Sequence, residues 1–440
     1  MKILVLTVGG SCAPIITSIK QNKPDRSVFI CSDDIGNTKG SYITVEGTGN
    51  VCGNDPKKPD LPNIVTQAQC ENTPREIHKL KAVDNINEVY KFCLNLLNRL
   101  RQEYPSAEII TDYTGGTKTM SVGLGAAAMD IEGTIISIVK GERTDLIKVL
   151  DGTQSVRLLR TNLGYLNRQK SIAEKFIAQY DYAAAANLLS ELSNTPDIPE
   201  QYSNEITHIS SFCKAFDAWY KFNHLEAFRL LSSLKSEYLH FLTVSIQARA
   251  KLDEEIKLDT IPNFKSIQIA HGYELVEDLL LNVERRAHSG KYDDAVARLY
   301  RAFELLGQLR LIIQYDLKTS DIDLTKIPNN LKKEYDQKKN NKGRIELGAT
   351  QTYDLLDKLG DEIGKDYNKV KNKILNQGLG VRNLSILAHG FKPISEKEHS
   401  QVSEVLGGFI QYTLSKLTKE KKIFKKQFPK KFETAKIKTL

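Results

Sequence analysis

Two short stretches of this 440-residue chain carry side chains whose types and spacing suit phosphate chemistry. The first is Arg382-Asn383-Leu384-Ser385-Ile386-Leu387-Ala388-His389. At about 100° per residue, a step of seven returns to nearly the same side of a helix, roughly 10 Å along its axis. Arg382 and His389 are therefore expected on one face of a helix, with Leu384, Leu387 and Ala388 turned to a core and Gly390 as the stop. A helix C-terminus also favours an imidazolium. RNA is cut without a metal when its own 2′-hydroxyl attacks the neighbouring phosphorus, because the nucleophile is already in place. The protein then supplies proton transfer, a role for His389, and charge against the phosphorane-like transition state, a role for Arg382. Asn383 would orient the phosphate or the imidazole. The same spacing also describes a helix-terminal histidine and a surface arginine, so alone it decides little.

The second stretch is Asp112-Tyr113-Thr114-Gly115-Gly116-Thr117-Lys118, directly after an apolar strand at 107–112 and before a small-residue helix at 117–131. In a parallel sheet that junction lies at the carboxyl edge, where ligands bind. Gly115 and Gly116 let the backbone approach an anion, the helix start offers free N–H donors, and Lys118 adds a full charge. Asp112, Thr114 and Thr117 complete this set of ligand-binding candidates. A turn after the first strand, Gly9-Gly10-Ser11, opens on the same edge, so two glycine turns border one phosphate-binding groove. The plainer alternatives are ordinary βα turns and Ser11 as a helix cap. No GxxxxGK[ST] is present, which excludes a P-loop nucleotidase. Gly123-Leu124-Gly125 falls inside a predicted helix rather than at a strand end, and is expected to serve helix-to-sheet packing.

The elements that must hold these stretches divide the chain. Through the first 150 or so residues, apolar strands (3–8, 28–31, 107–112, 134–139) alternate with helical patterns, one of them expected over 75–103. Such alternation implies a largely parallel sheet covered on both faces. Between 33 and 63 it breaks into Gly, Asn, Lys, Asp and Pro, expected to be an insertion at the sheet rim that is either a lid or a loop. Beyond about 160 the periodicity is helical. The expected organisation is therefore an α/β Rossmann-like domain at 1–159, a helical connector at 160–274 and an all-α domain at 275–440. In the last of these, Gly290 separates two predicted antiparallel helices, and 332–344 reads as an exposed polar loop.

Composition is that of a globular protein, with 40% hydrophobic and 26% charged residues. No apolar run approaches the roughly 20 residues that span a bilayer, and Met1 to Val8 reads as a strand rather than a secretory signal. The six cysteines form no CxxC pair and no histidine stands at finger-like spacing, so no metal is expected, the thiols are read as reduced and the protein as cytoplasmic. The net charge of +8 concentrates in the tail from Lys416 to Leu440, where phenylalanines interleave with lysines. That pattern suits either attraction to nucleic acid or a solvated helix end whose phenylalanines pack on the domain.

Together, strand-DYTGGTKTM-helix in an N-terminal α/β domain and RNLSILAH in a C-terminal helical domain resemble the CARF-HEPN ribonucleases of type III CRISPR systems. The resemblance implies a CARF domain that binds a cyclic oligoadenylate as allosteric activator, and a HEPN domain that cleaves single-stranded RNA without a metal. Arg382, Asn383 and His389 match the family's RN-x(4-6)-H pattern. Gly115, Gly116, Thr117 and Lys118 match its ligand turn, and Gly9, Gly10 and Ser11 its first-strand turn. It also implies a homodimer whose composite site draws Arg382 and His389 from both chains. The stretch from Ser289 to Arg301 looks like the start of the HEPN domain, where Arg298 and Arg301 line the RNA groove or pair with acids such as Glu304. Some CARF domains of this kind also degrade their activator, for which Ser11, Thr117 and Lys118 are the candidates. Two competing readings are a nucleotide sensor with an inert or DNA-binding helical half, and a Rossmann-type oxidoreductase, which lacks its dinucleotide fingerprint.

Overall fold

The structure, a computed structural model, describes residues 1–53, 60–141, 153–159, 163–194, 198–234, 236–253, 255–267, 272–418 and 425–432. Two compact units make up the chain: Met1–Ile172 with Leu188–Thr207, and Ala173–Asn187 with His208–Leu440.

The first unit is built on six strands: β1 (Lys2–Thr7), β2 (Arg26–Ser32), β5 (Arg75–Leu80), β6 (Glu108–Asp112), β7 (Thr134–Lys140) and β8 (Ser155–Leu159). Two short strands, β3 (Asn50–Cys52) and β4 (Leu61–Pro62), pair separately. The large sheet runs β5-β2-β1-β6-β7-β8, all parallel except the antiparallel β8. Its interior strands are apolar on both sides because helices cover both faces: Ile3, Val5 and Ile109 pack under the helices Ile86–Glu103 and Lys118–Asp130, while Leu4, Leu6 and Ile110 pack toward Ala13–Asn22. The strand order reverses between β1 and β6, and the crevice at such a switch point is where a parallel sheet receives ligands.

One sequence expectation fails at the edge. The helix read over 75–103 is strand β5 followed, after a turn, by the helix Ile86–Glu103. Arg75-Glu76-Ile77-His78-Lys79-Leu80 carries charge because it is an edge strand, and edge strands are protected by charged side chains rather than marked by apolar alternation.

Helices Leu163–Ala178, Tyr182–Ser193, Glu200–Tyr220, His224–Ser232 and Leu239–Ala250 occupy the stretch read as a connector. After it, Glu274–His288 ends at Ser289, Gly290 takes a φ of +69°, and Tyr292–Tyr315 begins. The expected helix-turn-helix is present. The core of this helical unit stacks Phe303, Tyr353 and Tyr367, with ring centres 4.5 and 4.8 Å apart, and the Tyr353 hydroxyl donates to the Phe303 carbonyl at 2.8 Å. The polar stretch at 332–344 is less of a loop than its composition suggests. The helix Asn329–Asp336 runs through its start, anchored by buried Leu331 and Tyr335 one helical turn apart.

The basic tail also resolves, as far as it is described; Lys421, Lys422, Ile423 and Phe424 lie outside the described residues. Phe428 is buried between Phe216 and Trp219, and the Arg285 guanidinium lies 3.7 Å from its ring centre. Lys425 pairs with Glu277 at 2.8 Å and Lys426 with Glu237 at 2.5 Å. In this segment the phenylalanine is an anchor and these two lysines answer acids of the same unit.

Candidate functional site

At the carboxyl edge of the sheet the two glycine turns touch. A Cβ on Gly9 would stand 2.9 Å from the Gly116 nitrogen, and one on Gly115 would stand 2.3 Å from the Thr7 carbonyl oxygen, so neither position has room for a side chain. Gly116 adopts a φ of +82°, which an L-residue with a Cβ rarely takes. The Thr7 hydroxyl donates to the Gly115 carbonyl at 2.6 Å, locking the first strand to the second turn.

The polar residues of this turn divide into two kinds. Asp112 is buried, and its carboxylate accepts from the hydroxyls of Ser18 at 2.6 Å and Ser137 at 3.0 Å and from the Thr114 N–H at 2.9 Å. The Thr114 hydroxyl accepts from the Val139 N–H at 2.8 Å, and Thr117 caps the helix Lys118–Asp130 through the Met120 N–H at 3.2 Å. These three hold the turn in shape. Lys118 and Ser11 are exposed beside it, as is Gly10. Ser11 is not the helix cap considered above; Cys12 occupies that position, without a capping hydrogen bond from its side chain.

The described part of the insertion at 33–63 is held by specific contacts. Asp34 gathers Lys39 and the Gly40 N–H, helix Ile43–Glu46 follows, and the Ser41 hydroxyl donates to the Val8 carbonyl at 2.8 Å. Its Cys52 is bonded to Cys12, with Cα atoms 5.9 Å apart, which corrects the expectation that all six cysteines are reduced. The pairing joins residues 40 apart through the folding back of the insertion, which spacing along the chain does not reveal. Cys31, Cys70, Cys93 and Cys213 are free and buried. Burial pushes the thiols of Cys31, Cys93 and Cys213 up to about 12, which leaves them protonated and inert. Lys57, Lys58 and Pro59 lie outside the described residues.

The Arg382–His389 segment is not the continuous helix that its spacing suggested. Helix ends at Asn383, in a four-residue piece, Gly380–Asn383, that follows a π-helical turn at Ile374–Leu379. From there the chain turns back: the Ile386 N–H donates to the Lys392 carbonyl at 3.0 Å and the Gly390 N–H to the Ser385 carbonyl at 3.0 Å. Gly390 makes the return possible, since a Cβ there would lie 2.0 Å from the Leu384 carbonyl oxygen. The glycine read as a helix stop closes a loop instead. The expected inward face is consequently exposed: Leu384 is 65% and Leu387 55% accessible, as are Ile386 at 57% and Phe391 at 90%.

His389 is exposed on this loop and Arg382 is partly buried at its start. The Arg382 Cζ lies 4.4 Å from the centre of the Tyr300 ring, and its Nη1 donates to the Asn383 Oδ1 at 3.1 Å. The other arginines considered for an RNA groove are paired, Arg298 with Asp294 at 3.0 Å and Arg301 with Glu304 at 2.8 Å. Tyr300 was not singled out by sequence, and only its position two turns into a helix facing the motif could have marked it. Among the described residues no group of three or more His, Cys, Asp or Glu side chains is disposed to hold a metal ion, and no helix is long and apolar enough to cross a membrane.

Residues 265–413 match the family model described as the Csm6 HEPN domain, a span that contains the whole Arg382–His389 segment. No curated protein matches the sequence. Among solved structures, Csm6 of Enterococcus italicus bound to cyclic hexa-2′-fluoro-hexa-dAMP aligns over 99% of this chain and 96% of its own, with a TM-score of 0.61 at 15% identity, a likeness of fold. Can2 of Sulfobacillus thermosulfidooxidans in complex with cyclic tetra-adenylate aligns over 72% of this chain and 70% of its own at 13% identity, and its TM-score of 0.22 carries no argument.

Proposed function

We propose that this chain is a member of the CARF-HEPN family of type III CRISPR systems and a cytoplasmic endoribonuclease that a cyclic oligoadenylate switches on. The observation that carries the reading lies inside the span matched by the HEPN model: Arg382, without a carboxylate partner among the described residues, stands at the end of a short helix, and exposed His389 lies on the loop that follows it. The domains would be a CARF-like sensor at 1–159, a connector at 160–274 and a HEPN ribonuclease at 275–440.

In the proposed reaction, the 2′-hydroxyl of a single-stranded RNA attacks the adjacent phosphorus, and the bond to the 5′-oxygen breaks. One histidine takes the proton from the 2′-hydroxyl and a second gives a proton to the departing 5′-oxygen, leaving a 2′,3′-cyclic phosphate and a 5′-hydroxyl. Arg382 offers its forked N–H groups to the non-bridging oxygens as charge builds on them, and Asn383 holds the guanidinium. No step calls for a metal ion. One chain supplies one His389, so acid and base together require a homodimer. Leu384, Ile386, Leu387 and Phe391, all exposed around the histidine, are the surface that a second copy would cover.

The nucleotide is proposed to lie across the Gly9-Gly10-Ser11 and Gly115-Gly116-Thr117-Lys118 turns, with backbone N–H groups and Lys118 receiving phosphates. Exposed Ser11 and Lys118 are then the residues best placed for any cleavage of the activator itself, beside Thr117. The DNA-binding alternative drew on the lysine tail, whose described part is engaged within its own unit. The test is incubation of the protein with labelled RNA, a chelator and cyclic oligoadenylates of four and six adenylates. Cleavage dependent on one ring supports the reading; nucleotide binding with no cleavage under either ring returns the sensor-only alternative.

A further inference from the structure

The surroundings of Arg382 set it apart from its neighbours in the helical unit. Arg286 and Arg298 both meet Asp294, at 3.2 and 3.0 Å, Arg301 meets Glu304 at 2.8 Å and Arg310 meets Asp361 at 2.8 Å. Each of these guanidinium groups already has a carboxylate on its forked edge. Among the described residues Arg382 has none; its face is set against the Tyr300 ring at 4.4 Å and one nitrogen is held by the Asn383 amide. An aromatic ring under a guanidinium fixes its plane while leaving its edge N–H donors open and its charge unneutralised.

Tyr300 is itself firmly held. It is half-buried on the helix Tyr292–Tyr315, between Leu299 and the buried pair Ala302 and Phe303 of the core. Burial first, and the charge of Glu304 second, push its phenol above the ordinary range, so the ring stays neutral beside the cation.

We propose that Tyr300 is a positioning residue for RNA cleavage, holding the Arg382 guanidinium with its donor edge toward the scissile phosphate. The proposal rests on the reading of Arg382 given above. It assigns Tyr300 a role through its ring face, not its hydroxyl and not contact with RNA. The arrangement would matter chiefly once charge develops on the phosphate, because a pre-aimed donor costs no reorganisation at that moment.

The experiment measures kcat and KM for single-stranded RNA in the activated full-length protein carrying Tyr300→Phe, Tyr300→Leu or Tyr300→Met, each also made with Arg382→Lys. Tyr300→Phe, which keeps the ring, is expected to stay within about twofold of the parent, whereas Leu and Met lower kcat about tenfold with KM little changed. In the Arg382→Lys background, where a point charge has no plane to orient, the same changes are expected to add less than about twofold. Met serves where Leu lowers the melting temperature. Full activity of the Leu and Met variants, an equal loss in Phe, or an undiminished loss beside Arg382→Lys would overturn the proposal. A parent protein that cuts no RNA under any ring overturns the functional reading first, and this inference with it.

Discussion

The glycine turn at 115–118 and the loop at 382–392 are both candidate sites, yet one is tied together by buried polar contacts and the other exposes a cluster of apolar side chains. Around Gly116 every neighbouring polar side chain that is buried is spoken for: Asp112 takes two hydroxyls and a backbone N–H, and Thr7 ties down the Gly115 carbonyl. The turn is a rigid cradle. Around His389, four large apolar side chains face solvent within eight residues, and among the described residues Arg382 has no carboxylate partner. On the proposed function, a nucleotide would complete the first site and another copy of the chain the second.

The largest expected effect falls on the exposed loop. Arg382→Ala should lower kcat for RNA roughly 10²–10³-fold, as losing a preorganised donor to a developing charge does. Cyclic oligoadenylate affinity, followed by calorimetry, should be unchanged. Loss of both together would erase the separation between the two regions. Next in size is the covalent tie at the cradle. Cys52→Ser, or reduction of the wild type, should destabilise the first unit by about 2–4 kcal/mol, because closing a loop of this length restricts the unfolded chain. Differential alkylation with mass analysis should find Cys12 and Cys52 protected together before reduction, and equal labelling of both thiols in the untreated protein would contradict the tie.

Smaller again is Phe391→Asp, which removes an apolar side chain worth about 1.5–3 kcal/mol on burial and puts a charge in its place. Sedimentation should show a weaker dimer, and activity should fall at low protein concentration and recover as concentration rises. A variant whose specific activity is independent of concentration would argue that the loop is complete in one chain. The smallest effect is assigned to Lys118→Gln: about a tenfold loss in activator affinity, from one charge-assisted contact among several backbone ones, with kcat at saturating activator preserved.

Much of the first region was legible in the sequence because strand, glycine pair and helix follow one another without interruption. An apolar run ending in Asp112, then Gly115-Gly116, then a small-residue helix admits few geometries, and the placement of Gly9 against Gly116 follows from β1 and β6 being neighbours. What stayed hidden there depends on distant contacts. The strand Arg75–Leu80 takes its conformation from pairing with β2, and Cys52 meets Cys12 only once the insertion has folded back. At the second region the spacing predicts a helix that the structure does not contain. A seven-residue step fits a helix equally well whether or not one forms, and the local evidence against it, Gly390 followed by Pro393, lies after the motif. Leu384 and Leu387 then read as core residues, because apolar spacing does not say whether a face is covered by the same chain or by another. Tyr300 has no signal of its own in the sequence; its ring meets Arg382 from a helix more than 80 residues away.

The proposed role of His389, proton transfer in an RNA cleavage switched on by nucleotide binding, is tested by comparing wild type with His389→Ala, using end-labelled single-stranded RNA, an activating cyclic oligoadenylate and a chelator, with activator binding measured on the same samples. Products ending in a 2′,3′-cyclic phosphate are expected from the wild type, and a loss of roughly 10²–10⁴-fold in the variant with activator affinity unchanged. Cleavage by His389→Ala at the wild-type rate would overturn the assignment.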